Sequence, residues 1–137
     1  MAKRPTRPDL SRLNLKAIVA RVQNERGWSD TQAREAELWY RRFLQLSYDR
    51  GPEPFYAISE NADHVWHGHI LFTRKYREDC ARIFGGYLDH TPAAAGPDTL
   101  TELRQKRAAA LYMKTFGAVP PDLKVPCYVP TPRPPGR

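Results

Sequence analysis

From Leu10 to Phe116 apolar residues return every three or four positions, and no long stretch alternates apolar with polar. A side-chain set repeating near 3.6 residues can face one core only from a helix, so this periodicity directs the chain to an all-α fold. Four helices in a compact bundle are expected. The first spans about 10–25, with Leu15, Ile18, Val19 and Val22 on one side and Gly27 as its C-terminal cap. The second, about 30–48 with Ser29 or Asp30 as cap, sets Ala36, Trp39, Tyr40, Phe43, Leu44 and Ser47 against a charged face of Arg34, Glu35, Arg41 and Arg42.

Gly51-Pro52-Glu53-Pro54 breaks the pattern, and a short extended piece, 55–58, leads to Ser59 or Asn61 as the cap of a third helix reaching to about 84. The fourth begins near Asp98, where Thr99 and Glu102 stand at capping-box spacing, and ends at Gly117 before Pro120-Pro121. Its buried face is expected to hold Leu100, Leu103, Ala110, Leu111 and Phe116.

At 137 residues the chain suffices for one ordinary core, and the expected organisation is a single helical domain over 10–121. A basic tail, 1–9, and a Pro-rich extended tail, 122–137, flank it, because neither has apolar residues to bury. The net charge of +7 and the pI near 9.7 owe part of their excess to these tails. Such a balance suits nucleic acid or an acidic protein as partner, and equally suits a merely solvated surface. Two cysteines, Cys80 and Cys127, are too few for a disulfide framework; with no signal peptide and no 18-residue apolar run, a cytoplasmic setting without membrane contact is expected.

Chemistry concentrates in Asp63-His64-Val65-Trp66-His67-Gly68-His69, which holds three of the four histidines. Helical phase separates them. Ala62, Trp66, His69, Thr73, Tyr76, Cys80 and Ile83 alternate by four and three along one stripe, whereas Asp63 and His67 share another and His64 faces the polar side. His67 and His69 diverge by roughly 200° on a helix and cannot ligate one metal together. Asp63 and His67, at i and i+4, can do so, and His90 beyond Gly85-Gly86 is the economical third ligand. Two histidines and a carboxylate suit zinc or iron(II) with an open position, yet the same spacing also makes an ordinary hydrogen-bonded pair.

His69 in the apolar stripe is expected to be buried, with Thr73 or Tyr76 as its hydrogen-bond partner. Two readings stand: a satisfied core histidine, or a polar pocket of Trp66, His69, Thr73, Tyr76 and Cys80 that binds a small molecule or assists proton transfer. Cys80, mid-helix, has no assured neighbour to lower its pKa and reads first as a small hydrophobe. Trp39, Tyr40, Trp66 and Tyr112 fall at helical spacing with aliphatic residues and read as core formers.

The residues just described resemble the uncharacterised glycine-rich domain-containing protein-like family. The resemblance rests on Tyr40-Arg41-Arg42-Phe43-Leu44, on Asp63-x-x-Trp66-His67-x-His69-Ile70-Leu71 with Thr73, Tyr76 and Cys80, on Phe84-Gly85 with His90-x-Pro92, and on Tyr112-x-x-Thr115-Phe116-Gly117 with Pro120-Pro121. It covers roughly 36–121 and implies a shape and a residue set with no attached activity, strengthening Asp63, His67 and His90 as a site. The chain has only eight glycines and no Gly-rich region or RNA-recognition module, so no RNA role carries over; Ala62 replaces a branched apolar residue before the acid. Function is thus expected to be a small helical domain with a His/Asp site, metal-binding and open to catalysis, or else a non-enzymatic interaction module acting through basic surface and tails.

Overall fold

The apolar run starting at Leu10 opens with a single 3-10 turn, Leu10–Arg12, before α1 forms over Lys16–Arg26. In this computed structural model, which describes residues 10–50, 59–89 and 99–122, α2 (Asp30–Arg50), α3 (Glu60–Leu71), α4 (Thr73–Phe84) and α5 (Thr99–Phe116) follow. Every regular element among the described residues is helical, in agreement with the all-α reading. The N-terminal tail, the 55–58 piece, His90, Cys127 and residues 123–137 lie outside the described residues. No helix among those described is long and apolar enough to cross a membrane.

The helix ends follow local chemistry. Gly27 closes α1 at φ 67°, a left-handed conformation that costs glycine no Cβ clash, and its N–H reaches Gln23 O. Ser29 and Gln32 then form a reciprocal capping box: Ser29 N–H donates to Gln32 Oε1 at 2.9 Å, and Gln32 N–H to Ser29 Oγ at 3.1 Å. Ser59 caps α3 by accepting from Ala62 N–H at 3.0 Å. Asp122, assigned on sequence grounds to the start of the C-terminal tail, is tied to the same end: it accepts from Ser59 Oγ at 2.8 Å and from Asn61 N–H at 2.7 Å. Its carboxylate also complements the positive end of the α3 dipole.

The main departure from expectation is that the third helix is two helices. Phe72, at φ −84° and ψ 69°, leaves the helical region; its N–H falls back to His69 O, and its carbonyl accepts Tyr76 N–H to open α4. A straight helix would place residues ten apart about 15 Å apart along its axis, beyond the reach of two side chains. With the bend, Trp66 Nε1–H donates to Tyr76 Oη at 2.8 Å and His69 Nε2 meets Asp79 Oδ2 at 2.8 Å. These two ten-residue pairs hold the corner closed.

The core joins α1, α2 and α3, with α4 and α5 packed on it. Phe43 of α2 lies on Trp66 with ring centroids 4.5 Å apart, and Trp39 meets Tyr112 of α5 at 5.8 Å. Each such fully buried side chain supplies about 1.5–3 kcal/mol of burial free energy. Arg42 covers the rings of Trp39 and Phe116 at 4.6 and 4.8 Å, and Arg41 donates to the carbonyls of Leu10 and Leu13, locking the N-terminal turn onto α2. The Tyr-Arg-Arg-Phe-Leu run is therefore a set of inter-element anchors.

One packing assignment needs correction, and one residue gains a role. Gly68, unremarked in the sequence, is where α1 crosses α3: a Cβ there would stand 2.6 Å from Val22 Cγ2. In α5 the expected face was out of phase, since Leu103 and Ala110 are exposed and Gln105, Ala108, Ala109 and Tyr112 are buried. Tyr112, set against Trp39 of α2, faces inward, and Leu103 and Ala110 lie about half a turn away from it on the helix. Leu111 and Phe116 are half-buried, and the side chain of Leu100 is outside the described residues.

Candidate functional site

The bend delivers His69 of α3 into a buried polar chain whose other members come from α2 and α4. Tyr40 Oη lies 2.7 Å from His69 Nδ1, and Asp79 Oδ2 lies 2.8 Å from Nε2. A carboxylate only accepts, so Nε2 carries the proton and Nδ1 accepts from the Tyr40 hydroxyl. Asp79 is further held by Lys75 Nζ at 3.0 Å and Arg82 Nη2 at 2.9 Å, both reaching in from the surface of α4. His69 is thus a core histidine with both nitrogens satisfied, but by Tyr40 and Asp79 and not by Thr73 or Tyr76 as its stripe suggested. Tyr76 instead gives His69 a ring edge at 4.8 Å, and Thr73, just past the bend, is exposed.

Burial dictates the proton chemistry here. It lowers the His69 pKa below the usual histidine value, opposed by the hydrogen bond and charge of Asp79, so the neutral tautomer is favoured. The Tyr40 hydroxyl is pushed well above the usual phenol range, first by burial and then by neighbouring acidic groups. Burial also raises Tyr76 and the Cys80 thiol, which sits beside the Tyr76 hydroxyl and the Leu88 backbone. A thiol raised this way is a poor nucleophile. With Tyr40 0% and His69 1% exposed, the chain has the order of a proton relay whose phenol and imidazole are buried. Trp66, His69, Tyr76 and Cys80 are gathered around one another; Thr73 is not.

Of the other two histidines of the cluster, His67 lies on the outer side of α3. His67 Nε2 stands 3.6 Å from Asp63 Oδ2, with the imidazole half-exposed and the carboxylate largely covered. His64, expected at the surface, is mostly covered: its ring lies 6.4 Å from that of Trp28, its Nε2 is 3.9 Å from Glu60, and its Nδ1 is buried without a hydrogen bond among the described residues. Burial and the nearby Arg26 lower its pKa. Among the described residues no group of three or more His, Cys, Asp or Glu side chains could hold a metal ion. The expected third ligand, His90, is outside them.

Asp79 and Tyr40 were missed as partners of His69. Asp79 had one readable signal, Lys75 and Arg82 flanking it at four and three residues, which on a helix gathers both cations on one acid.

Fold and site define a small all-α domain organised on a buried tyrosine–histidine–aspartate chain, with an Asp/His pair on the outside of the same helix. The chain belongs to the uncharacterised UCP032817-like family, whose family model matches residues 12–110. No curated protein and no solved structure matches it.

Proposed function

We propose that the domain binds a divalent metal, zinc or iron(II), through Asp63 and His67 of α3 together with His90, and uses the buried Tyr40–His69–Asp79 chain to hold that helix in place. The observation that carries the reading is the i, i+4 pair itself: an imidazole nitrogen and a carboxylate oxygen 3.6 Å apart on a half-exposed face, a spacing two ligands of one cation can adopt. Two histidines and one carboxylate would leave coordination open for water or substrate, the condition for hydrolytic chemistry on zinc or oxygen chemistry on iron(II). On this reading the chain is also a relative of the glycine-rich domain-containing protein-like family, whose Asp-x-x-Trp-His-x-His motif it carries. Calorimetric titration of untagged protein with zinc and with iron(II) tests it. Binding of one equivalent, lost in His67→Ala and His90→Ala, is expected; no binding, or binding indifferent to both substitutions, refutes it.

A second reading, an interaction module for nucleic acid or an acidic protein, is favoured by α5. Its 103–116 stretch exposes Arg104, Lys106, Arg107 and Lys114 and contains no acidic residue. Binding to a polyanion that weakens steeply with salt and is lost in Arg104→Glu/Arg107→Glu would establish it; salt-independent binding, or none, would reject it.

A further inference from the structure

An open groove of about 490 Å³ runs between the N-terminal turn, the start of α1 and the first half of α2, and involves none of the histidines. Val19 and Ala33, both almost fully buried, contribute an apolar floor. Six charged side chains line it: Arg12, Lys16, Arg34 and Arg41, with Asp30 and Glu37. These sort unequally. Glu37 is neutralised by Arg41 at 2.8 Å, and the same guanidinium is committed to the carbonyls of Leu10 and Leu13. Asp30 accepts from Gln23 Nε2 at 2.9 Å. Arg12, Lys16 and Arg34 have no acidic partner among the described residues, so three cations line one concavity with one acid charge, that of Asp30, held by the neutral Gln23 amide, against them. The groove also meets the start of α1, whose first turn has no acid and whose Lys16 N–H is taken by Asn14 Oδ1 at 3.0 Å.

We propose that this groove binds a small phosphomonoester. Three cations around one cleft exceed what a carboxylate monoanion requires and match a dianion with three acceptor oxygens. The volume falls within the range of small-molecule sites, roughly 300–1,000 Å³, and leaves room for an organic body on Val19 and Ala33 beside the phosphate. This inference is independent of the metal reading, since no residue is shared.

Phenyl phosphate is the probe, followed by amide chemical shifts of the full chain, with inorganic phosphate and benzoate in parallel. Saturable binding with shifts clustered at residues 12–20 and 30–37 is expected, weaker for both fragments. Lys16→Gln/Arg34→Gln, two exposed substitutions, should weaken it about tenfold or more with unchanged melting, whereas Arg104→Gln/Arg107→Gln on α5 should leave it intact. Absence of saturation, equal loss in both double variants, or inorganic phosphate binding as well as phenyl phosphate would overturn the proposal.

Discussion

Removing the Asp79 side chain tests what the buried chain does. In Asp79→Ala the imidazole N–H of His69, itself 1% exposed, loses the acceptor it has among the described residues, which costs about 1–3 kcal/mol for an orphaned buried donor. Lys75 and Arg82 also lose their partner, but they are 36% and 60% exposed and regain water, adding at most about 1 kcal/mol. A total near 3 kcal/mol, at about 3–5 °C per kcal/mol for a chain of this size, lowers the melting temperature by roughly 9–15 °C. Asp79→Asn, which keeps an acceptor oxygen for Nε2–H, should lose less than half of that. Tyr40→Phe removes only the hydroxyl that donates to Nδ1 and should cost about 1–2 kcal/mol. Because both partners act through one ring, the Tyr40→Phe/Asp79→Ala double variant should fall short of the summed losses by about 0.5 kcal/mol or more. Urea unfolding followed by circular dichroism supplies the free energies. An Asp79→Ala protein melting within about 2 °C of the parent, or strict additivity in the cycle, would refute the claim that this chain closes the corner.

Stability should also depend on pH through His69. Its folded pKa lies below the unfolded value near 6.5, so between the two the unfolded state binds the extra proton; stability is complete above about 6.5 and declines as pH falls toward the folded value. His64 acts in the same direction, and His69→Gln should flatten the decline in melts taken from pH 7.5 to 5.5 without abolishing it. Gly68→Ala forces a methyl against the β-branched Val22 at the α1–α3 crossing, and chemical unfolding should show a loss of about 1–3 kcal/mol where a helical Gly→Ala change normally stabilises. In a Cys127→Ser background Cys80 should resist alkylation by iodoacetamide in the native state and react in denaturant; rapid native labelling would contradict its buried, raised-pKa thiol.

Much of the fold was legible because its signals are local. The three-and-four spacing, Gly27 after α1, Ser29 before α2, Ser59 before α3 and Gly117 after α5 all act within a few residues of themselves. The bend at Phe72 carries no such signal: neither glycine nor proline stands there, and the apolar stripe runs through it unbroken. Residues ten positions apart on a continuous stripe, Trp66 and Tyr76, look alike whether the helix is straight or folded back, so the periodicity cannot tell one long helix from two. Once the helix was read as straight, Asp79 lay about 15 Å from His69 and had no reason to be considered.

The sequence by itself determined that this chain is helical, that His69 turns inward, and that Asp63 and His67 share a separate face, since each follows from a fixed rotation per residue. Tertiary structure alone decided which partners His69 meets, that Gly68 sits at a helix crossing, and how α5 is rotated on the core. Those outcomes depend on contacts between residues distant along the helix axis or the chain, chosen by close packing and by the need to pair every buried polar group.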